Sequence, residues 1–316
     1  MTPRLTISAD GPEAFEGWRQ AFAACAPDIE TVSWFDPATQ REAAHYALVW
    51  EVSDADLGAL SRMRGILCTG AGVNHLVSRP GFPDHVPLIR MGGDDTGILM
   101  ADYVLWAAIS LLRDARGWAL QQAARVWSRN LVSRTSRETE VTVLGYGQIG
   151  SVVAQHLAKA GFSVTAWRRS GEGGKDGPVH LCTGDAALSA RLEKTDLLVN
   201  LLPSTSRTRH ILDRALLGRM KPGAGLINVG RGDHLVEADL IALLDEGRLG
   251  GAVLDVTAEE PLPANAPLWE HPRIILTPHV ASEASRRAQV LYLADVIRQL
   301  ERGERPALLF DRERGY

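Results

Sequence analysis

The chain has 316 residues, 45% of them hydrophobic and 23% charged, with a formal net charge of -4. This is globular composition with length for a large core or two domains, and the charge argues against a nucleic-acid binder, which usually carries a strongly basic face. No apolar run approaches the roughly 20 residues that cross a bilayer, and Met1–Thr6 opens no signal region, so neither membrane nor export is expected. The cysteines Cys25, Cys68 and Cys182 are scattered, which fits a reduced, cytoplasmic setting and neither a disulfide framework nor a metal site.

Short β-rich runs alternate with helical patterns along the chain. The first third offers strands at Leu5–Ser8, Ala47–Val52, Gly65–Thr69 and Leu88–Met91, with helical stretches between them. Such alternation predicts βα units and a parallel sheet. A long helical pattern then runs from about Ile98 to Leu120, with Asp95 or Thr96 placed to cap it. Its apolar residues, among them Leu99, Val104, Leu105, Trp106, Ile109, Leu111 and Leu112, suit a helix that joins domains or subunits. Ser128–Arg137 reads as an extended connection.

A second alternating series follows. Strands are expected at Val141–Leu144, Ser163–Trp167, Val179–Cys182, Leu197–Leu202, Gly225–Val229, Gly251–Val256 and Ile274–Thr277. Helices are expected at Gln148–Ala160, Arg207–Leu217 and Glu237–Glu246, with a last one from about Glu283 to Arg302. The glycine-rich stretch Ser170–Gly177 reads as a surface loop. The expected fold is α/β, with two Rossmann-like domains of parallel sheet and the active site in the cleft between them. A dinucleotide-binding domain spans 98–282. A substrate-binding domain spans 1–97, joined by 283–316.

The turn Gly145-Tyr146-Gly147-Gln148-Ile149-Gly150 lies between the strand Val141–Leu144 and a helical run. That is the context a GxGxxG dinucleotide fingerprint requires. Gly145 would make the tight turn, Gly147 would let the backbone approach a pyrophosphate, and Gly150 would let helix and strand pack closely. The helix start, including Gln148 and Ile149, would offer free N–H groups to phosphate. The same spelling also fits a kinase glycine loop, but that reading needs HRD and DFG segments, which this sequence lacks. A ligand-free glycine connection is the bland alternative.

The cofactor is read at the next strand end, where an NAD enzyme places an acid and where Arg suits a 2′-phosphate. Here the chain runs Trp167-Arg168-Arg169-Ser170, with no acid at that end. Two guanidiniums and a hydroxyl point to NADPH as the preferred cofactor, with NADH as the second choice. The opposing reading makes Arg168 and Arg169 a solvated pair.

Three further segments follow strands: Asn228-Val229-Gly230-Arg231-Gly232, Asp255–Pro263 and Thr277-Pro278-His279. Taken singly, a turn arginine, a loop glutamate and a capping histidine would explain them. Together with the glycine turn, in this order, they resemble the D-isomer-specific 2-hydroxyacid dehydrogenase family, glyoxylate/hydroxypyruvate reductase branch, over nearly the whole chain. The resemblance implies that Arg231 binds the 2-oxo acid and that His279 protonates the carbonyl oxygen as hydride arrives. Glu260 would bond to the imidazole and favour its charged form. It also implies that Gly72 and Val73 hold the substrate carboxylate through their N–H groups. Trp50 would line the substrate site, or else belong to the core. Leu202, Pro203, Thr208, Val229, Gly230, Asp255 and His279 would surround the cofactor, Asp255 by accepting from the nicotinamide carboxamide.

The expected reaction is NADPH-dependent reduction of glyoxylate or hydroxypyruvate to the D-2-hydroxy acid, in a homodimer. Alternatives are a phosphoglycerate or D-lactate dehydrogenase of the same family, or a non-catalytic dinucleotide sensor on the same fold. A phosphoglycerate enzyme commonly carries an added regulatory domain, for which no room is expected after Tyr316.

Overall fold

The computed structural model describes residues 2–36, 43–129 and 134–313. They form two compact units, one of Met1–Asp95 with Ala284–Tyr316 and the other of Thr96–Glu283. Both are Rossmann-like α/β folds.

The first unit holds a five-stranded parallel sheet of β1 (Arg4–Ile7), β2 (Glu30–Ser33), β3 (Tyr46–Val49), β4 (Gly65–Cys68) and β5 (Leu88–Ile89), in the order β2-β1-β3-β4-β5. Strands β3 and β4 are buried along their whole length. Central parallel strands covered on both faces read as continuous apolar runs, which is why they stand out in the sequence. Their side chains alternate between two cores. Leu48 and Leu67 pack on one face with Trp18 and Phe22 from the helix Phe15–Cys25 and with Val290, Leu293 and Ile297 from the helix Arg286–Glu301. Ala47, Val49, Ile66 and Cys68 pack on the other with Leu57, Leu60 and Leu76. The last helix is tied down by Tyr46, whose hydroxyl donates to Glu301 at 2.6 Å, and by Arg298, paired with Asp28 at 2.6 Å.

The second unit holds β6 (Glu140–Leu144), β7 (Ser163–Arg168), β8 (Gly174–Asp176), β9 (Val179–Thr183), β10 (Leu197–Asn200), β11 (Ala224–Asn228), β12 (Leu249–Leu254) and β13 (Ile274–Leu276). Their order is β13-β12-β11-β10-β6-β7-β9-β8, parallel except for the β8–β9 pair. Val141, Val143, Val199, Ile227 and Val253 face one core, and Leu144, Leu198, Leu226 and Leu254 face the other.

Several local expectations are corrected. The stretch Ser170–Gly177 is not simply a loop, because Gly174–Asp176 pairs with β9 in a hairpin turned at Gly177, whose φ is +56°. Exposed Gly-Lys-Asp carries no apolar alternation to reveal it. The long helix starts at Asp94, which puts Asp95 and Thr96 inside its first turn, and it ends at Arg113. Asp114 adopts a left-handed φ of +56° and accepts from Gly117 N–H at 3.2 Å, starting a separate helix, Ala115–Ala123. By length and composition the stretch Asp95–Arg113 could cross a membrane, contrary to the sequence reading. Instead Ala101, Val104, Ala107 and Ala108 are buried against the sheet.

Only Arg214–Leu217 of the expected helix Arg207–Leu217 forms, capped by Asp213. Upstream, the Thr208 hydroxyl binds local backbone, which competes with helix. Of the expected connection Ser128–Arg137, residues 130–133 lie outside the described residues, and Ser136–Glu138 is a short 3-10 turn closed by a Thr135/Glu138 capping box.

Candidate active site

The order of the second sheet fixes where a ligand can bind. From β6 the chain moves outward through β7 and β9, then crosses back to place β10 on the other side of β6. Open α/β sheets bind ligands at such a switch point, beyond the strand C-termini. The turn after β6 lies there. Gly145 has a left-handed φ of +100°, and a Cβ on Gly150 would meet the Gly145 carbonyl oxygen at 2.1 Å, so only glycine lets the turn close on the helix Gln148–Lys159. A Cβ on Gly147 would meet nothing within 4 Å, so open space lies above this backbone. Gly147 caps the helix without any side-chain hydrogen bond, which leaves its first N–H groups for a ligand. Gln148 is exposed, and Ile149 packs against the core.

Arg168 ends β7, and Arg169 and Ser170 follow it, exposed. Arg168 Nη2 donates to the Glu172 carbonyl at 2.7 Å, while its Nε is buried with no hydrogen-bond partner. A buried guanidinium donor left over at this strand end suits a phosphate oxygen. The residues present therefore fit a phosphorylated dinucleotide. Leu202 and Pro203 follow β10, and the buried Thr208 holds their loop by donating to Pro203 O at 2.7 Å and accepting from Thr205 N–H at 2.8 Å.

Arg231 follows β11 after the buried Val229 and Gly230. A Cβ on Gly232 would come within 1.8 Å of Thr257 O, so glycine lets this turn press against the loop after β12. That loop carries Glu260. Its Oε1 accepts from Thr257 N–H at 3.0 Å, and its Oε2 lies 2.7 Å from His279 Nδ1. Burial pushes the Glu260 carboxyl up, but the bonds from His279 and Thr257 and the nearby Arg231 charge outweigh it and hold it below the usual carboxylate range. A carboxylate and an imidazole thus meet, with the Arg231 cation near enough to act on the carboxylate, on loops that follow β11, β12 and β13. With Nδ1 engaged by Glu260, Nε2 is the nitrogen left for a ligand.

His279 itself has a left-handed φ of +57°. For a residue other than glycine this stores on the order of 1–3 kcal/mol of strain, sustained only by surrounding bonds. Asp255 supplies them. Its carbonyl accepts from His279 N–H at 2.9 Å, its Oδ1 from Val280 N–H at 2.9 Å and Thr277 Oγ1 at 2.6 Å, and its Oδ2 from Ala281 N–H at 2.9 Å. Sequence reasoning missed a second buried network. Asn200 Nδ2 donates to Asn228 Oδ1 at 2.8 Å and lies 2.9 Å from His234 Nδ1, while Asn228 Nδ2 donates to Arg231 O at 3.3 Å. Burial holds the His234 imidazole below its ordinary value, so it stays neutral beneath the Arg231 turn. The signal was two asparagines ending buried strands.

In the first unit, Trp50 follows β3 and Gly72-Val73 follow β4. The Trp50 ring centroid lies 4.1 Å from that of His75, whose Nε2 is 2.7 Å from Trp50 O. A Cβ on Gly70 would meet the indole at 2.3 Å. The Val73 side chain belongs to the core, which leaves its backbone for other contacts.

The model of the D-isomer specific 2-hydroxyacid dehydrogenase NAD-binding domain matches residues 105–281. Glyoxylate/hydroxypyruvate reductase A of Salmonella paratyphi B is 35% identical over 305 residues, covering 95% of this chain and 96% of the relative. The crystal structure of a D-isomer specific 2-hydroxyacid dehydrogenase from Xanthobacter autotrophicus Py2, in complex with NADPH and MES, is similar with a TM-score of 0.90, 32% identity and full coverage of both chains. An NADPH-dependent glyoxylate/hydroxypyruvate reductase from Sinorhizobium meliloti, in complex with NADP and sulfate, gives 0.89 and 32%, covering 99% of this chain and all of that one. Motif order, sheet order and these likenesses agree: the chain belongs to the D-isomer specific 2-hydroxyacid dehydrogenase family.

Proposed function

We propose that this protein reduces a small 2-oxo acid, glyoxylate or hydroxypyruvate, to the D-2-hydroxy acid with NADPH. The observation that carries the reading is the His279–Glu260 pair at 2.7 Å beside Arg231, at the strand C-termini that hold the glycine turn. NADPH, when bound, supplies the hydride. Gly145, Gly147, Gln148, Ile149 and Gly150 would hold its pyrophosphate, and Arg168, Arg169 and Ser170 its 2′-phosphate. Leu202, Pro203, Thr208, Val229 and Gly230 would line the cofactor. Asp255 already accepts three donors on its two oxygens, which leaves about one lone-pair site for the nicotinamide carboxamide.

Arg231 pairs with the substrate carboxylate and carbonyl oxygen, since a permanently charged planar cation suits both. His279 Nε2 gives its proton to the carbonyl oxygen as that atom gains negative charge, and the imidazole ends neutral. Glu260 holds the ring through Nδ1 and stabilises the imidazolium before transfer. General acid catalysis of this kind contributes roughly 10²–10⁴-fold. In the first unit, the N–H groups of Gly72 and Val73 are assigned to the substrate carboxylate. Trp50, wedged by Gly70 and His75, is assigned to limiting substrate size.

The active form is a homodimer. Ile98, Leu99, Trp106 and Ile109 are exposed apolar residues on one helix, and Trp118, Leu120, Val126 and Trp127 continue them, an apolar surface a monomer seldom leaves open. The cysteines Cys25, Cys68 and Cys182 form no disulfide among the described residues, and a reduced, cytoplasmic setting is assigned. Loss of NADPH absorbance with glyoxylate and with hydroxypyruvate tests the function. Turnover with either, abolished in His279→Ala, supports it, and no turnover with either refutes it.

A further inference from the structure

Behind the His279 loop runs a hydrogen-bond chain that no motif announces. Tyr103 lies on the helix Asp94–Arg113, partly buried against the core, with its ring 5.2 Å from that of Trp106. Its hydroxyl oxygen is 2.5 Å from Thr277 Oγ1. Thr277 Oγ1 donates to Asp255 Oδ1 at 2.6 Å. A hydroxyl has one proton, so Thr277 accepts from Tyr103, and donation runs from Tyr103 through Thr277 to Asp255. Burial pushes the Tyr103 hydroxyl up to about 12, so the phenol carries the proton that it donates.

Asp255 is also the residue on which the bonds flanking His279 converge. The left-handed backbone of His279 leaves that loop no slack of its own. We propose that Tyr103 is a positioning residue for the reduction: its hydroxyl fixes Thr277 and, through Asp255, holds His279 where Nε2 delivers its proton. This inference rests on the assignment of His279 as the acid. Tyr103 reaches no reacting atom; it acts from 174 positions away in sequence, through the loop. A hydrogen bond of ordinary net strength sets the scale of the effect.

The test compares Tyr103→Phe, Thr277→Val, Thr277→Ser, the double variant Tyr103→Phe/Thr277→Val and His279→Ala, with kcat for glyoxylate and the Kd of NADPH as readouts. Tyr103→Phe should lower kcat about three- to tenfold at unchanged NADPH Kd. Thr277→Val should lose at least as much, Thr277→Ser should restore the rate, and the double variant should be no slower than Thr277→Val. Full kcat in Tyr103→Phe while His279→Ala is inactive overturns the proposal. So does a double-variant loss equal to the product of the single losses, or a fall in NADPH affinity that parallels kcat. Should Tyr103→Phe not fold, Thr277→Val against Thr277→Ser decides, and equal rates in those two overturn it. Wild-type kcat in His279→Ala strikes instead at the acid assignment on which the inference stands.

Discussion

Replacing Arg168 with alanine should lower the catalytic efficiency with NADPH and leave that with NADH unchanged. Arg168 ends β7, where a 2′-phosphate would sit, and one of its nitrogens already donates to Glu172 O at 2.7 Å. That leaves Nε, which is buried with no hydrogen-bond partner, as the donor for a phosphate oxygen. Each bond to a charged group contributes about 1.5–3 kcal/mol. Because the residue is partly exposed, solvent screening keeps this contact within the range of one such bond. A loss of about 1.5–3 kcal/mol corresponds to a fall of about 10- to 150-fold in kcat/KM for NADPH. NADH lacks the phosphate and should be unaffected. Steady-state kinetics with both cofactors at saturating glyoxylate read this directly. A fall below about threefold for NADPH, or a parallel fall for NADH, refutes the reasoning. Arg169 is exposed, so its replacement should cost less.

Glu260→Gln removes the charge facing His279 and should lower kcat about tenfold above the ordinary carboxylate range. Because the folded carboxyl lies below its ordinary value, the pair persists above that range and is lost only as pH falls through the lowered value; equal kcat in variant and wild type near neutral pH would contradict this. Asp196 is a stability anchor: its buried carboxylate accepts from Glu140 N–H and Lys221, both at 2.9 Å, and pairs with Arg134. Burial pushes it up, but those partners outweigh burial and hold it low, so its contribution is present above its unfolded value and lost on acidification. Asp196→Asn should cost about 2–4 kcal/mol in denaturant unfolding near neutral pH, and the gap should close in acid; a gap that stays constant to about pH 2 rules this out. Trp106→Glu with Ile109→Glu should yield monomers by light scattering, and a wild-type chain that already runs as a monomer would refute the dimer.

The sequence by itself determined the βα alternation, the glycine turn after β6 and the segments that carry Arg231, Glu260 and His279. These features are local. A buried parallel strand reads as an apolar run, and a turn that must close on a helix can carry only glycine at Gly145 and Gly150. The β8 hairpin was invisible because exposed Gly-Lys-Asp has no apolar period. The break at Asp114 was hidden because left-handed backbone at an aspartate leaves no pattern around it. Only the tertiary structure decided which polar groups meet. The crossover from β9 back to β10 sets β11 and β12 on the other side of β6, and Gly232 lets the Arg231 turn press against the loop of Glu260. Tyr103 and Thr277, and likewise Asn200 and His234, are distant in sequence and adjacent in space. Hydrophobic periodicity says which face of an element is buried, but the order of the strands decides which buried hydroxyl or amide finds which partner.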